Sequence, residues 1–378
     1  MILANLYTGA SLVQSHFPPR TKSSISAAIS GSNLNTSSRG NPTGWIVFSP
    51  ANISYLVNFT SRDSYFLISK KANIYITDSR YTEEARGDLK GIALVKKING
   101  SVFKTIADTC IELGLKHIGF EDRYLSFDGY KKIKEGLNKE NDLIPVSGLV
   151  EELREIKTPE EIQKIKKATQ ITVNALRFIK NFISVGKKET EVAAELERYI
   201  RYAGARASAF DIIVASGPNS SFPHHLTSQR KIKNNEPVLI DMGVEYMGYK
   251  SDLTRVFFLG KIDATVKKIY NIVRQAQDRA IKKIKPAVLI SEIDTAARQY
   301  ITQEGYGGFF GHNLGHGTGL EVHEKPRISG KESGRLRNGM VFTIEPGIYL
   351  PNKFGIRLED TIVITKGKCE VISGSLNK

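Results

Sequence analysis

Five side chains of metal-binding type crowd the last third of the chain: Asp241, Asp252, His316, Glu345 and Glu359. Each lies in an apolar or glycine-rich run. Asp241 follows Pro237-Val238-Leu239-Ile240, and Asp252 precedes Leu253-Thr254-Arg255-Val256-Phe257-Phe258. Glu345 ends Val341-Phe342-Thr343-Ile344, and Glu359 precedes Asp360-Thr361-Ile362-Val363-Ile364. A lone carboxylate buried in a strand-like run is costly, and four close together cannot all stay ionised. Divalent cations remove both penalties. Carboxylates suit hard cations, and one imidazole adds a borderline ligand. Two ions about 3.5–4 Å apart let carboxylates bridge and share a water, whose pKa then falls toward neutrality. These residue types point to a metalloenzyme.

Five of the seven histidines, His224, His225, His312, His316 and His323, fall within the same stretch. Taken singly, each can also be a hydrogen-bonded core or surface residue, and for His225 the two readings stay even. The glycines at 311, 315, 317 and 319 suggest a phosphate cradle, but no helix start follows Gly319. Close backbone approach around a metal site explains them better.

The elements that must position these groups follow from periodicity. Asp241 and Asp252 are separated by Glu245-Tyr246-Met247-Gly248-Tyr249, and a β-hairpin there brings both carboxylates to one face. Strands are expected at 238–244, 252–259, 340–345 and 356–365. In the last of these, Glu359 shares a side with Arg357 by the two-residue alternation. Helices are expected near 189–203, 264–285 and 291–304. Another starts at Lys157-Thr158-Pro159-Glu160-Glu161, with Thr158 as N-cap, Pro159 in the first turn and Glu161 closing a capping box. Upstream, 45–48, 64–69 and 72–77 read as strands, the last two joined by a hairpin turn at 70–73. Helices follow near 102–114 and 127–138.

The chain of 378 residues, 40% hydrophobic, is long enough for two domains. The expected division is 1–44, 45–155 and 156–378. Residues 1–44 are rich in Ser, Asn, Thr and Gly, with no acid before Asp63; they read as a disordered leader, a targeting segment or a misassigned start. Cys110 and Cys369 give neither a disulfide framework nor a cysteine zinc motif, which suits the reducing cytoplasm. No run of about 18 apolar residues marks a membrane span. The net charge of +15 admits an anionic partner. However, clusters such as Lys164-Ile165-Lys166-Lys167 and Lys282-Lys283-Ile284-Lys285 are spaced as solvated helix faces, so neither nucleic acid nor membrane is expected to bind.

At this point the motifs carry a resemblance. Phe222-Pro223-His224-His225, Val238-Leu239-Ile240-Asp241-Met242-Gly243 and Tyr249-Lys250-Ser251-Asp252-Leu253-Thr254-Arg255 resemble the creatinase/methionine-aminopeptidase superfamily. So do the segments from Gly315 to Glu324, Thr343 to Gly347 and Ile356 to Asp360. Asn52-Ile53-Ser54-Tyr55-Leu56 and Asp78-Ser79-Arg80-Tyr81 place it nearest the prolidase and Xaa-Pro aminopeptidase branch.

The resemblance implies an α+β protein: a pita-bread catalytic domain preceded by a smaller creatinase-type α/β domain, as a homodimer. It implies two divalent ions, Mn²⁺ or Co²⁺ foremost, with Zn²⁺ or Fe²⁺ also accepted. Asp241 would hold one ion, His316 and Glu345 the other, with Asp252 and Glu359 bridging. Glu345 would also shuttle protons, while His224 and His323 bind substrate and stabilise the oxyanion. His312, Arg327 and Arg357 match further substrate positions, with Arg327 facing a carboxylate end. The implied reaction is attack of a metal-bridging hydroxide on the bond before a proline in second position, in a dipeptide or at a peptide amino terminus. Two alternatives stand beside it, a methionine aminopeptidase and a catalytically inactive pita-bread binding module. The amino-terminal domain disfavours the first and the intact ligand set the second.

Overall fold

The computed structural model describes residues 42–376, so all but the end of the expected leader lies outside the described residues. The chain divides into two compact units, one ending at Val150 and the other beginning at Glu151.

The first unit is built on a six-stranded sheet. Its strands run in the order Leu94–Lys97, Asn73–Thr77, Ser64–Ser69, Gly44–Val47, His117–Glu121 and Asp142–Val146. Gly44–Val47 is buried at every position because it is central, antiparallel to Ser64–Ser69 and parallel to His117–Glu121. Helices Val102–Glu112 and Phe127–Gly136 bring Ile106, Cys110 and Ile133 onto Ile46, Leu67 and Ile118. The expected hairpin forms with Ile68 opposite Asn73. His117–Glu121 was not foreseen, because Gly119 interrupts its apolar pattern. That glycine sits opposite Trp45, whose ring fills the space a Cβ would need.

The second unit consists of two α/β halves. In the first, helices Pro159–Ile179 and Glu189–Tyr202 pack on the sheet of Ile213–Ser216, Pro237–Met242 and Leu253–Phe258. Leu176, Val192, Leu196, Ile240 and Leu253 form the core between them. The opening helix has the expected cap: Thr158 Oγ1 accepts from Glu161 N at 3.3 Å, and Thr158 N donates to the Glu161 carboxylate at 2.8 Å. In the second half, Ala264–Lys283 and Ile290–Gln303 cover a five-stranded sheet. Its order is Glu324–Ile328, Gly315–Gly317, Val341–Ile344, Asp360–Thr365, Lys368–Val371. Ile269, Val273, Ile293, Phe342 and Ile362 are its core.

Two expected strands are broken, and both breaks lie at the candidate site. The strand expected at 356–365 is two, Phe354–Arg357 and Asp360–Thr365, in different sheets. Glu359 lies in the gap, its N–H donating to Thr254 O of the neighbouring half at 3.3 Å. Its approach to Arg357 therefore comes from a crossover and not from strand alternation. The strand expected at 238–244 ends at Met242. At Gly243 the chain runs so close to the Ser251 carbonyl that a Cβ would collide. Val244–Tyr246 then pairs with Tyr249–Lys250 in a separate sheet, closed by Met247 and Gly248 at φ of 50° and 82°. Positive φ at both turn positions is what a tight two-residue hairpin needs. Among the described residues, no helix is long and apolar enough to cross a membrane.

Candidate metal centre

The first half supplies Asp241 and Asp252. Asp241 pairs directly with Thr254 across the antiparallel ladder, and directly opposed residues share a face. Asp252 immediately precedes the strand Leu253–Phe258, close enough to Asp241 for the two charges to act on each other. The antiparallel pair thus brings these carboxylates together, with Thr254 beside them as a residue not singled out from the sequence. Its hydroxyl donates to Glu359 Oε2 at 2.7 Å and accepts from Arg357 Nε at 3.1 Å.

The second half supplies His316 and Glu345. Thr343, on the strand beside Gly315–Gly317, fixes both. Its Oγ1 accepts from His316 N at 3.1 Å and donates to Glu345 Oε1 at 3.2 Å. His316 Nδ1 donates to Gly317 O at 3.1 Å, so Nε2 faces Glu345 Oε1 at 3.2 Å and Asp252 Oδ2 at 3.5 Å. Such a backbone contact is how a ligating imidazole is oriented. Close approach to a neighbouring backbone holds at two of the four positions. A Cβ on Gly315 or Gly317 would meet the carbonyl of Thr343 or Lys325, and one on Gly319 the Glu324 carboxylate, but Gly311 has open space.

Asp252, His316 and Glu359 each offer a ligand atom within 4.8 Å of the others. Asp241 joins them through Arg357, whose Nη2 donates to Asp241 Oδ2 at 2.6 Å. Arg357 is buried, and its Nη1 also donates to Tyr349 Oη at 2.9 Å and Pro223 O at 3.2 Å. Tyr349 Oη in turn lies 3.0 Å from His312 Nε2. Tyr349 and Thr343 were missed because a hydroxyl that orients others leaves no spacing signature. Thr254 was findable, being two residues from Asp252. The His323 ring lies 4.1 Å from that of His316, centroid to centroid. Arg327 is exposed and pairs opposite His316. His224 is exposed on the loop whose Pro223 carbonyl Arg357 holds, while its half-buried neighbour His225 bonds to Glu189 at 3.0 Å.

The donor set fits divalent cations. Asp241 Oδ1 and Glu359 Oε1 are buried and accept no hydrogen bond among the described residues, which is costly unless a cation takes that place. Burial, then the carboxylates of Glu359, Asp241 and Glu345, hold Asp252 well above the usual carboxylate range. Burial, then Glu345 and Asp241, do the same to Glu359. Burial acts on Glu345 in the same direction, but the His316 hydrogen bond and charge outweigh it and keep this carboxyl low.

A pH dependence follows. Groups with raised folded-state pKa values stabilise the fold when protonated, and that contribution is lost as pH rises through the raised values. Metal binding needs the deprotonated carboxylates and gains as they ionise. The melting-temperature gap between metal-loaded and chelator-stripped protein should therefore widen as pH rises from about 4, the ordinary carboxylate range, toward neutrality. A gap independent of pH would contradict a cluster of mutually repelling carboxylates.

Known proteins share this two-part architecture. Residues 163–366 match the model of metallopeptidase family M24, and residues 41–156 that of the creatinase/prolidase N-terminal domain. An Xaa-Pro dipeptidase of Pyrococcus horikoshii is 39% identical over 303 residues, 80% of this chain and 84% of the relative. The solved Xaa-Pro dipeptidase from Bacillus anthracis superimposes with a TM-score of 0.85 at 41% identity, covering 89% of this chain and 94% of that one. The X-Pro aminopeptidase structure from Thermotoga maritima gives a TM-score of 0.80 at 37% identity, covering 88% and 95%.

Proposed function

We propose that this chain, which belongs to metallopeptidase family M24 and carries a creatinase/prolidase N-terminal domain, hydrolyses the bond preceding a proline in second position. The substrate is an Xaa-Pro dipeptide or the amino terminus of a longer peptide. The α+β architecture is the pita-bread catalytic fold preceded by a smaller creatinase-type α/β domain. The observation that carries the reading is the convergence of four carboxylates and His316, with buried oxygens of Asp241 and Glu359 accepting no hydrogen bond among the described residues.

Asp241, Asp252, His316, Glu345 and Glu359 would hold two divalent ions, Mn²⁺ or Co²⁺ before Zn²⁺ or Fe²⁺, which would supply Lewis acidity and lower the pKa of a water. Glu345, kept ionised beside His316, takes the proton of the attacking water and passes it to the leaving proline nitrogen. His224 and His323 bind the peptide and stabilise the developing oxyanion. His312 and Arg357 shape the substrate side through Tyr349. Proline lacks an N–H and has a fixed ring, so a shaped pocket selects its tertiary amide. The protein acts as a homodimer in the reducing cytoplasm, with no nucleic-acid or membrane partner.

Arg327 faces the substrate's carboxylate, which lies near the scissile bond only in a dipeptide. Arg327→Ala should raise KM about tenfold for an Xaa-Pro dipeptide, the size of one lost charge-assisted contact, and much less for a longer peptide. Equal losses on both substrates reject that role. The wider test is a panel of an Xaa-Pro dipeptide, an Xaa-Pro-Xaa tripeptide and a Met-Ala-Xaa peptide. Cleavage of the dipeptide alone makes the chain a dipeptidase, and preference for the tripeptide an aminopeptidase. Cleavage after Met alone overturns proline selectivity, and no metal-dependent cleavage identifies a binding module.

A further inference from the structure

Glu189, at the start of helix Glu189–Tyr202, lies outside the carboxylate cluster and has no part in the reaction derived above. It is fully buried. A buried carboxylate is costly unless it is saturated with donors, and Glu189 is saturated from a single segment. Oε1 accepts from Ser216 N and Ser216 Oγ, both at 2.7 Å, and from Asn219 Nδ2 at 3.0 Å. Oε2 accepts from Ser228 Oγ at 2.7 Å, Ser228 N at 3.1 Å, Asn219 Nδ2 at 3.1 Å and His225 Nε2 at 3.0 Å. Burial by itself would raise this carboxyl. The bonds from Ser228, Ser216 and His225 overcome that and hold it below its ordinary value.

These donors are the two ends and the middle of the loop that presents His224. Ser216 closes the strand Ile213–Ser216, Asn219 lies in the 3-10 turn Gly217–Ser221, and Ser228 lies beyond the histidine pair. The opposite side of the loop is tied to the other half of the unit: Ser220 Oγ accepts from Gly355 N at 2.9 Å, and Pro223 O accepts from Arg357 Nη1. His224 itself is exposed between these anchors. The loop is thus held by Glu189 on one side and by Gly355 and Arg357 on the other.

We infer that Glu189 is a positioning residue of the active site, a buried anion that gathers the loop Ser216–Ser228 and sets the place of His224 through His225. The inference rests on the reading of His224 as a substrate contact. An anionic acceptor is required because its partners are donors on every side, so an amide at 189 would turn its NH₂ toward Ser228 and His225 or toward Ser216.

The test compares Glu189→Gln, His224→Ala and the double variant, each loaded with Mn²⁺ and assayed on an Xaa-Pro dipeptide, with bound metal measured alongside. Glu189→Gln should lower kcat at least about tenfold, since small misplacements of a reacting contact cost up to about a hundredfold, while metal content stays unchanged. The double variant should be no slower than His224→Ala alone, because both changes act on one contact. A double variant in which the two losses multiply would overturn the inference and leave the role of His224 standing. A His224→Ala enzyme of full activity would overturn the substrate-contact reading, and the inference with it. Should Glu189→Gln not fold, Ser228→Ala removes one donor while keeping the charge. It should show the same dependence on His224 with a smaller loss, and a loss that persists in His224→Ala would again overturn the inference.

Discussion

Asp252→Asn should yield a folded protein that neither loads its metal set nor cleaves peptide. Asp252 is buried beside Glu359, Asp241 and Glu345, and its Oδ2 lies 3.5 Å from His316 Nε2. In the proposed bridging role it would contribute charge and two oxygens to the metal set, and an amide keeps one neutral oxygen and no charge. Cation stabilisation of the developing charge is worth several kcal/mol. At about 1.4 kcal/mol per tenfold, the loss is on the order of a thousandfold or more in kcat/KM. The same change should leave the stripped protein as stable as the parent or more so, because one member of a mutually repelling group becomes neutral. Metal at a hundred times its Kd adds about 2.7 kcal/mol to a protein that binds it, and this increment should disappear. Thermal unfolding with and without Mn²⁺ reads both effects. A variant that keeps full activity, or the full thermal shift on adding metal, would sink the two-metal assignment.

Arg357→Met should strongly destabilise the protein. The guanidinium is buried and ties together Asp241, Thr254, Tyr349 and the Pro223 carbonyl. Methionine fills much of the volume but leaves Asp241 without its cation and Pro223 O without its donor. Removing one partner of a buried pair costs about 3–5 kcal/mol, and denaturant titration of the stripped protein should show a loss of that size. Loading Mn²⁺ should recover part of it, since a cation on Asp241 replaces some of the lost attraction. Lysine should rescue poorly, because a point charge cannot reproduce a planar fork with several acceptors. A Met variant as stable as the parent with and without metal would mean that the carboxylates are neutralised elsewhere.

Much of this site was legible because its candidate ligands sit where burial is hard to reconcile with charge. Asp241 and Asp252 stood out against strand-like surroundings, and the pairing of Asp241 with Thr254 brings them close, as their spacing implied. The capping box at Thr158 was equally plain, since its signal is entirely local. The breaks at Gly243 and Leu358-Glu359 were not legible. Each depends on which sheet the next residue joins, and periodicity within a strand carries no information about a neighbouring sheet. The same limit hid Tyr349 and Thr343, whose hydroxyls matter only because the fold sets them beside His312, Arg357, His316 and Glu345. Glu189 was hidden for a related reason. On the sequence it reads as an acidic residue at a helix start, and only the return of the loop from Ser216 to Ser228 makes it an anchor.

If the buried carboxylate cluster is the seat of metal-dependent cleavage before proline, activity must follow metal occupancy. The most direct measurement is proline release from an Xaa-Pro dipeptide by chelator-stripped protein as Mn²⁺ is added back. No release is expected from the stripped protein, followed by a rise that saturates as the metal sites fill, with no such rise in Asp252→Asn. Release at an undiminished rate from protein shown to be free of metal, or restoration by Mn²⁺ in Asp252→Asn to the parent's level, would contradict that role of the cluster.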